Sequence, residues 1–261
     1  MLMVYMNQLA TQLTATLLMT GASLFAVAET SPDEEALSLE AFADTRIVRK
    51  LPDITIDDAS VYFPLNDGHY EYEVFDYSTH ALSRDSENQR LILANSSPPR
   101  WQREASNQII EEWQRSGDGA IRMTAKIATE PGYRVELNPS LDIPTRIAPQ
   151  QQWQRESTLK AYPLDEPDRP AYTGTLKAHL RYVGHYELQT PAGTFPAILL
   201  SEEYHAQIGL LDIHSKRYRF YSAHIGKVAE IEGLRVSTPV FYKSENRLAK
   251  VLVNYRGQQK I

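Results

Sequence analysis

Apolar residues recur at alternate positions through much of the last third of the chain. Leu176, Ala178, Leu180, Tyr182, Tyr186 and Leu188 interleave with Lys177, His179, Arg181, His185 and Glu187. A period of two puts one set on each face of a strand, so this run predicts one buried face and one wet one. The stretch "TPAGTF" (190–195) then reverses the chain. Pro191 presets the first turn dihedral and Gly193 accepts the positive φ that closes a tight turn, so "FPAILLSEEYHAQI" returns antiparallel. A third run, "LDIHSKRYRFYSA", reads as continuing into "HIGKVAEIEG" with Gly226 as a bulge or bend. The final strands are "RVSTPVFYKS" and "LAKVLVNYR".

Earlier in the chain, an Asn-Asp-Gly turn feeds an aromatic-rich strand in "YFPLNDGHYEYEVFDY", with Tyr70, Tyr72 and Val74 on one face and Glu71 and Glu73 on the other. Trp101, Ala105, Ile109 and Trp113 follow at intervals of four after a double proline, which predicts a helix ended by Gly117 and Gly119. The adjacent Ile109 and Ile110 fit a strand instead, and both readings stay open. "AIRMTAKIATEPGYRV" alternates and turns at Pro131-Gly132 as a hairpin. Pro139, Pro144, Pro149, Pro163, Pro167 and Pro170 then punctuate a segment that cannot be one continuous central strand, because each proline removes a ladder donor. It is read as a crossing connection holding one strand, "QQWQREST". The resulting fold class is mainly β, a curved antiparallel meander of half-barrel or clam-like shape with one helix.

The amino terminus changes the picture of where such a sheet would work. "LTATLLMTGASLFAVA" is mostly apolar and ends in Ala26-Val27-Ala28, a small-x-small pattern suited to signal peptidase. Residues 1–28 are therefore expected to be a cleaved signal peptide directing the chain to the periplasm, with no membrane span in the mature protein. The basic n-region of a usual signal is missing. Residues 29–58 open with the acidic "ETSPDEEALSLEAFAD" and are expected to form a flexible linker, leaving 59–261 as a single β-rich domain.

Composition excludes several chemistries. Cysteine is absent, which removes disulfides, thiolate metal sites, cysteine nucleophiles and a lipoprotein's acylated cysteine. Lys plus Arg number 27 against 33 Asp plus Glu, a net charge of −6 with interspersed signs, so no basic stripe invites nucleic acid.

The segments "YFPLNDGHYEYEV", "GHYELQTPAGTFPAILL" and "RFYSAHIGKVAEIEG" resemble, in this order, a loosely defined group of exported bacterial β-sheet proteins of the domain-of-unknown-function type (DUF3108-like). The resemblance spans most of the chain after Val61. It implies a curved periplasmic sheet and brings over no catalytic residue.

Motif by motif, catalysis finds little footing. There is no Gly-x-Ser-x-Gly elbow, phosphate loop or dinucleotide fingerprint, so no cofactor is expected. The neighbouring pairs Glu111-Glu112 and Glu202-Glu203 point to opposite sides of a strand and read as solvated charge. No His-x-His or helical His pair occurs. His205, His214 and His224 lie on neighbouring strands and could meet across the ladder, but no metal site is expected. The remaining candidate is a polar surface of His179, Arg181, His185, Glu187, Tyr204, His205, His214 and Arg217, joined by Lys177 and Arg219. The expected function is non-enzymatic: the curved sheet binds an amphipathic or anionic ligand (a lipid, glycan or peptide) or an envelope protein partner. The alternative is a hydrolase or transferase acting on envelope polysaccharide or peptide, which requires one of the histidines beside a carboxylate in a deep pocket.

Overall fold

The computed structural model describes residues 45–257, apart from 77, 79–82, 95–98, 131 and 239–241. The expected signal peptide and the acidic "ETSPDEEALSLEAFAD" fall outside the described residues. Thirteen strands follow in order: β1 (Arg46–Leu51), β2 (Gly68–Asp76), β3 (Ser83–Ala94), β4 (Arg100–Ala105), β5 (Ile109–Arg115), β6 (Ile121–Ala128), β7 (Tyr133–Ile143), β8 (Gln152–Pro163), β9 (Tyr172–Thr190), β10 (Gly193–Ile208), β11 (Leu211–Ser222), β12 (Gly226–Thr238) and β13 (Tyr242–Gly257). β1 lies within the stretch read as a linker.

The sheet is a closed barrel, which corrects the expected half-barrel or clam. Strands β2 to β13 form an antiparallel meander in which β8 pairs with β9, and β13 returns to pair with β2. Twelve strands thus make a ring, and β1 is the thirteenth, added alongside β9. The length of β9 makes this possible. Its first half, Tyr172 to Arg181, pairs with β8, while His185 to Gln189 pair with β1 on the same edge. Closure removes the two edges that an open sheet of this size would expose.

The expected helix is instead the β4–β5 hairpin, in which Trp101 stands opposite Trp113. Residues four apart share a face in a strand as well as in a helix, because four is a multiple of two. The tetrad spacing was therefore uninformative, and the turn at Ser106–Gln108 with its positive φ at Gln108 decides the matter. No α-helix is present among the described residues. The run through Gly226 is likewise two strands. His224 and Gly226 both take positive φ (64° and 96°), so the chain reverses between β11 and β12 instead of bulging. Gly193 does take positive φ, 137°, at the Pro191-Ala192 turn.

The inside of the barrel carries the larger apolar cluster, including Ile121, Leu159, Leu176, Leu180, Ile198 and Leu200. One end is stoppered by the connection between β1 and β2. Ile56 bridges Ile147 through paired backbone hydrogen bonds of 2.8 Å, and Asp58 caps a 3-10 turn at Ala59–Val61. That turn delivers Phe63 onto Tyr221, ring centroids 4.3 Å apart. A second cluster, with Leu199, Tyr218, Phe220, Ile231 and Val251, gathers on the other face of β10–β13.

Candidate functional site

The inward side of the barrel is not uniformly apolar. Alternation along β11 turns Ile213, Ser215, Arg217, Arg219 and Tyr221 inward, and along β10 Glu202, Tyr204, Ala206 and Ile208. β12 adds Lys227, Glu230 and Glu232, β13 adds Lys250, and Glu87, Arg103, Glu111 and Lys126 come from β3 to β6. The lumen therefore has two characters: an apolar wall from β6 to β10, with Leu137, Leu159, Leu176 and Ile208, and a charged wall facing it.

Buried charges survive only when paired, and almost all of these are. Arg219 bonds Glu202 at 2.8 Å and Glu230 at 2.7 Å. Lys227 meets Glu230 at 2.8 Å, Arg217 meets Glu232 at 2.5 Å, and Lys250 meets Glu87 at 2.8 Å. Arg103 reaches Glu111 at 3.6 Å. Tyr204 donates to Glu202 at 2.5 Å and lies under the Arg217 guanidinium, 5.2 Å from the ring centroid.

The balance is uneven. Arg103, Lys126, Arg217, Arg219, Lys227 and Lys250 face Glu87, Glu111, Glu202, Glu230 and Glu232; a sixth acid at the cavity wall, Asp142, is engaged by Arg122 at 3.4 Å and Arg155 at 4.0 Å, which leaves one lumenal cation over. Lys126 is that charge. Among the described residues its ammonium has no ion-pair partner, although Glu111 stands opposite it in the β5–β6 ladder. Burial pulls the Lys126 ammonium below its ordinary value, with Glu111 opposing and Arg217 reinforcing that pull. For Glu111, burial alone would raise the carboxyl, but Arg103, Lys126, Arg219 and Lys227 outweigh it and hold the group at about 2. Glu230 is likewise driven well down, its burial overcome by Arg219, Lys227 and Lys250.

Two cavities occupy this interior. The larger, about 220 Å³, is mainly apolar and runs from Leu137, Leu159 and Ile208 to Arg217 and Arg219. The smaller, about 90 Å³, is lined almost wholly by the charged wall. Lys126, Glu111, Arg217, Arg219 and Tyr221 line both, so the unpaired ammonium sits where the apolar space meets the charged one.

The polar surface expected from the sequence is divided by the barrel into three places. Tyr204, Arg217 and Arg219 are inside. His179, Arg181, His205 and His214 face outward from β9 to β11, alternating with the inward Leu180 and Tyr204, and His179 Nε2 lies 3.2 Å from Gln152 Oε1. His185 meets the Pro52 carbonyl oxygen at 3.1 Å, and Glu187 pairs with Arg49 of β1 at 2.8 Å. His224 sits in the β11–β12 turn.

Of the four glutamates read as solvated, Glu203 is exposed on the outer face as expected, and the other three are not. Glu202 is 2% exposed inside the barrel, and Glu112, 5% exposed on the opposite face from Glu111, is clamped by Arg134 at 2.7 Å. The missed signal was the alternation itself. In "AEIEG" and "SEEYHAQI" Glu230 and Glu232, and Glu202 with Tyr204, occupy the inward phase, which Lys227 joins only through the β12 bulge opposite Phe220 and Tyr221.

No family model matches this chain, and no curated protein does. The resemblance to the DUF3108-like group thus finds no family model behind it. Two solved structures are similar in fold. One, from Bacteroides fragilis, is described as an exported protein with a YmcC-like fold; it is 12% identical, covers 79% of this chain and 98% of its own, and gives a TM-score of 0.43. The other, from Parabacteroides distasonis, is described as a lipoprotein; it is 12% identical, covers 75% of this chain and 98% of its own, and gives a TM-score of 0.46. Likeness at this level assigns neither family nor function.

Among the described residues no helix is long and apolar enough to cross a membrane. The outward positions of β9–β11 carry Lys177, His179, Glu203, His205 and Lys216, and the inward ones Leu176, Leu180 and Ala206. That is the reverse of the lipid-facing pattern of a transmembrane barrel.

Proposed function

We propose that the protein is a non-enzymatic carrier or receptor that holds a small anionic amphiphile inside its barrel, and that it works in the periplasm after cleavage behind Ala28. The observation that supports this reading is Lys126. A lumen that pairs every other internal cation leaves this ammonium without a close ion pair among the described residues, at the junction of an apolar cavity and a charged one. A ligand carboxylate or phosphate there would supply the missing negative charge, and its chain would lie against Leu137, Leu159, Leu176 and Ile208. At about 220 Å³ the apolar cavity falls below the roughly 300 Å³ at which drug-sized pockets begin, which suits a short or medium acyl chain. The export reading rests on the apolar amino-terminal run ending in Ala26-Val27-Ala28.

The alternative enzyme reading asked for a histidine beside a carboxylate in a deep pocket. The contacts made by His205 and His214 with Asp212 are on the outer face, away from the lumen.

The test is a calorimetric titration of the mature chain with decanoate, repeated on Lys126→Gln and on the outward Lys177→Gln. Loss of a charge-assisted hydrogen bond of ~1.5–3 kcal/mol should weaken binding about tenfold to a hundredfold in Lys126→Gln only. Equal affinities in all three proteins, or no binding by the unmodified chain, would remove the proposal.

A further inference from the structure

We infer that the outward faces of β10 and β11 form an open site for a divalent transition metal such as Zn²⁺ or Cu²⁺, with His205, His214 and Asp212 as its ligands. His205 and His214 are direct partners in the β10–β11 ladder. Partners of this kind hold their Cβ atoms about 5 Å apart, close enough for two imidazoles to share an ion. Asp212 lies two residues before His214 on the same face and diagonal to His205, since its own partner is Gln207. The Gly209-Leu210 hairpin fixes that register, Gly209 taking the positive φ of 59° which a two-residue turn needs at its first central position.

The three donors converge. Asp212 Oδ1 lies 3.1 Å from His205 Nε2 and 2.9 Å from His214 Nε2, and all three ligand atoms fall within 4.8 Å of one another. Bonds of about 2.0–2.1 Å arranged tetrahedrally require donors about 3.3 Å apart. The two distances to Asp212 need to widen by only a few tenths of an ångström. The imidazoles are stacked with centroids 4.2 Å apart and planes 12° from parallel, so their Nε2 lone pairs run side by side and must swing together to meet one ion. Side-chain exposures of 41%, 42% and 40% for His205, His214 and Asp212 leave room for that rotation.

Two imidazoles and one carboxylate form a borderline donor set, the kind that selects zinc, copper or nickel over calcium or magnesium. With three protein ligands the fourth position stays open to water or to an outside ligand. The neighbours temper the affinity: Lys177 faces His205 from β9 and Arg235 faces His214 from β12, both cationic, with Glu156 3.8 Å from Lys177 and Glu245 opposite Arg235 in the β12–β13 ladder. This site is independent of the lumen and would stand if the lumen binds nothing.

The experiment is a zinc titration of the full mature chain, purified without a histidine tag, alongside His205→Gln, His214→Gln, Asp212→Asn and the distant control His224→Gln. One equivalent should bind to the unmodified chain and the control, with affinity lower by about tenfold or more in each ligand variant. Imidazole nitrogen resonances of the unmodified protein give a reading that needs no variant: those of His205 and His214 should shift on adding zinc. Copper at one equivalent should show hyperfine coupling to two nitrogens. Zinc binding that survives loss of both histidines, or unmoved His205 and His214 resonances at millimolar zinc, would overturn the inference.

Discussion

Arg219 and Glu230 stand directly opposite each other in the β11–β12 ladder, Arg219 Nε donating to Glu230 Oε2 at 2.7 Å, with side chains only 15% and 3% exposed. The other arm of the guanidinium crosses to Glu202 on β10, so one residue ties three strands through two buried carboxylates. Such an ion set adds little over an apolar filling but is costly to leave half complete. Arg219→Leu should destabilise the barrel by ~3–5 kcal/mol, read as a lower denaturant midpoint at pH 7. A loss under about 1 kcal/mol would mean that water or a shifted Lys227 takes over the arginine's role.

The same carboxylates give the protein a defined acid sensitivity. Glu111 is held at about 2 in the fold against an ordinary 4.5. Below 4.5 the unfolded chain binds this proton and the folded one does not, so stability falls with pH. The contribution of Glu111 is fully present above about pH 5 and disappears as pH drops towards 2, for a total near 3 kcal/mol by linkage. Glu230 and Glu232, also lowered by their arginines against the effect of burial, act in the same direction. Denaturation midpoints measured from pH 7 to pH 2 should decline across this window, and Glu111→Gln should flatten the decline. A midpoint independent of pH between 5 and 2 would contradict the internal ion network.

How much of this was readable beforehand differs between strands and closure. The alternation in Leu176 to Leu188 located β9 and its turn at Pro191, since period and turn chemistry are local. Barrel closure is not local: it depends on β13 finding β2, a pairing such as Leu252 with Tyr72 across most of the chain, and no single stretch records it. The lumen was missed for a related reason. Arg217, Tyr204 and Glu202 look like solvent residues one at a time, and only their common inward phase, together with a closed ring, puts them inside. The pair His205 and His214 was within reach of the sequence, but Asp212, which completes it, becomes a neighbour only when the Gly209 turn sets the register.

Phe63 should behave as the stopper of the barrel. It is 7% exposed, packed against Tyr221 with the rings tilted by 47°, and carried by the turn capped at Asp58. Phe63→Ala removes a large buried ring and should cost ~3–5 kcal/mol. Because the loss opens space at the end of the lumen, hydrogen exchange of the Ile56 and Ile147 amides, which bond each other's carbonyls, should quicken with it. Unchanged exchange at these two amides would show that the bridge, and not the ring, closes this end.

The tightest constraint on the β9–β10 pairing is Gly174. A Cβ built there would lie 2.0 Å from the Gln207 carbonyl oxygen and 2.8 Å from Ile208 Cα, both backbone atoms that cannot rotate away. Since Gly174 pairs with Ile208 at the last rung before the Gly209 turn, a methyl group must push the two strands apart where the hairpin begins. Gly174→Ala should therefore destabilise by ~1–3 kcal/mol, the usual cost of overpacking, or about 2–12 °C in melting temperature for a domain of this size. Gly233→Ala is the control, because nothing lies within 4 Å of its added methyl and glycine's extra unfolded-state freedom is lost. It should match or slightly exceed the parent by ~0.5 kcal/mol. Equal melting of the two variants would mean that the strand ends at Gly174 give way freely, and that the β9–β10 register is held elsewhere along the ladder.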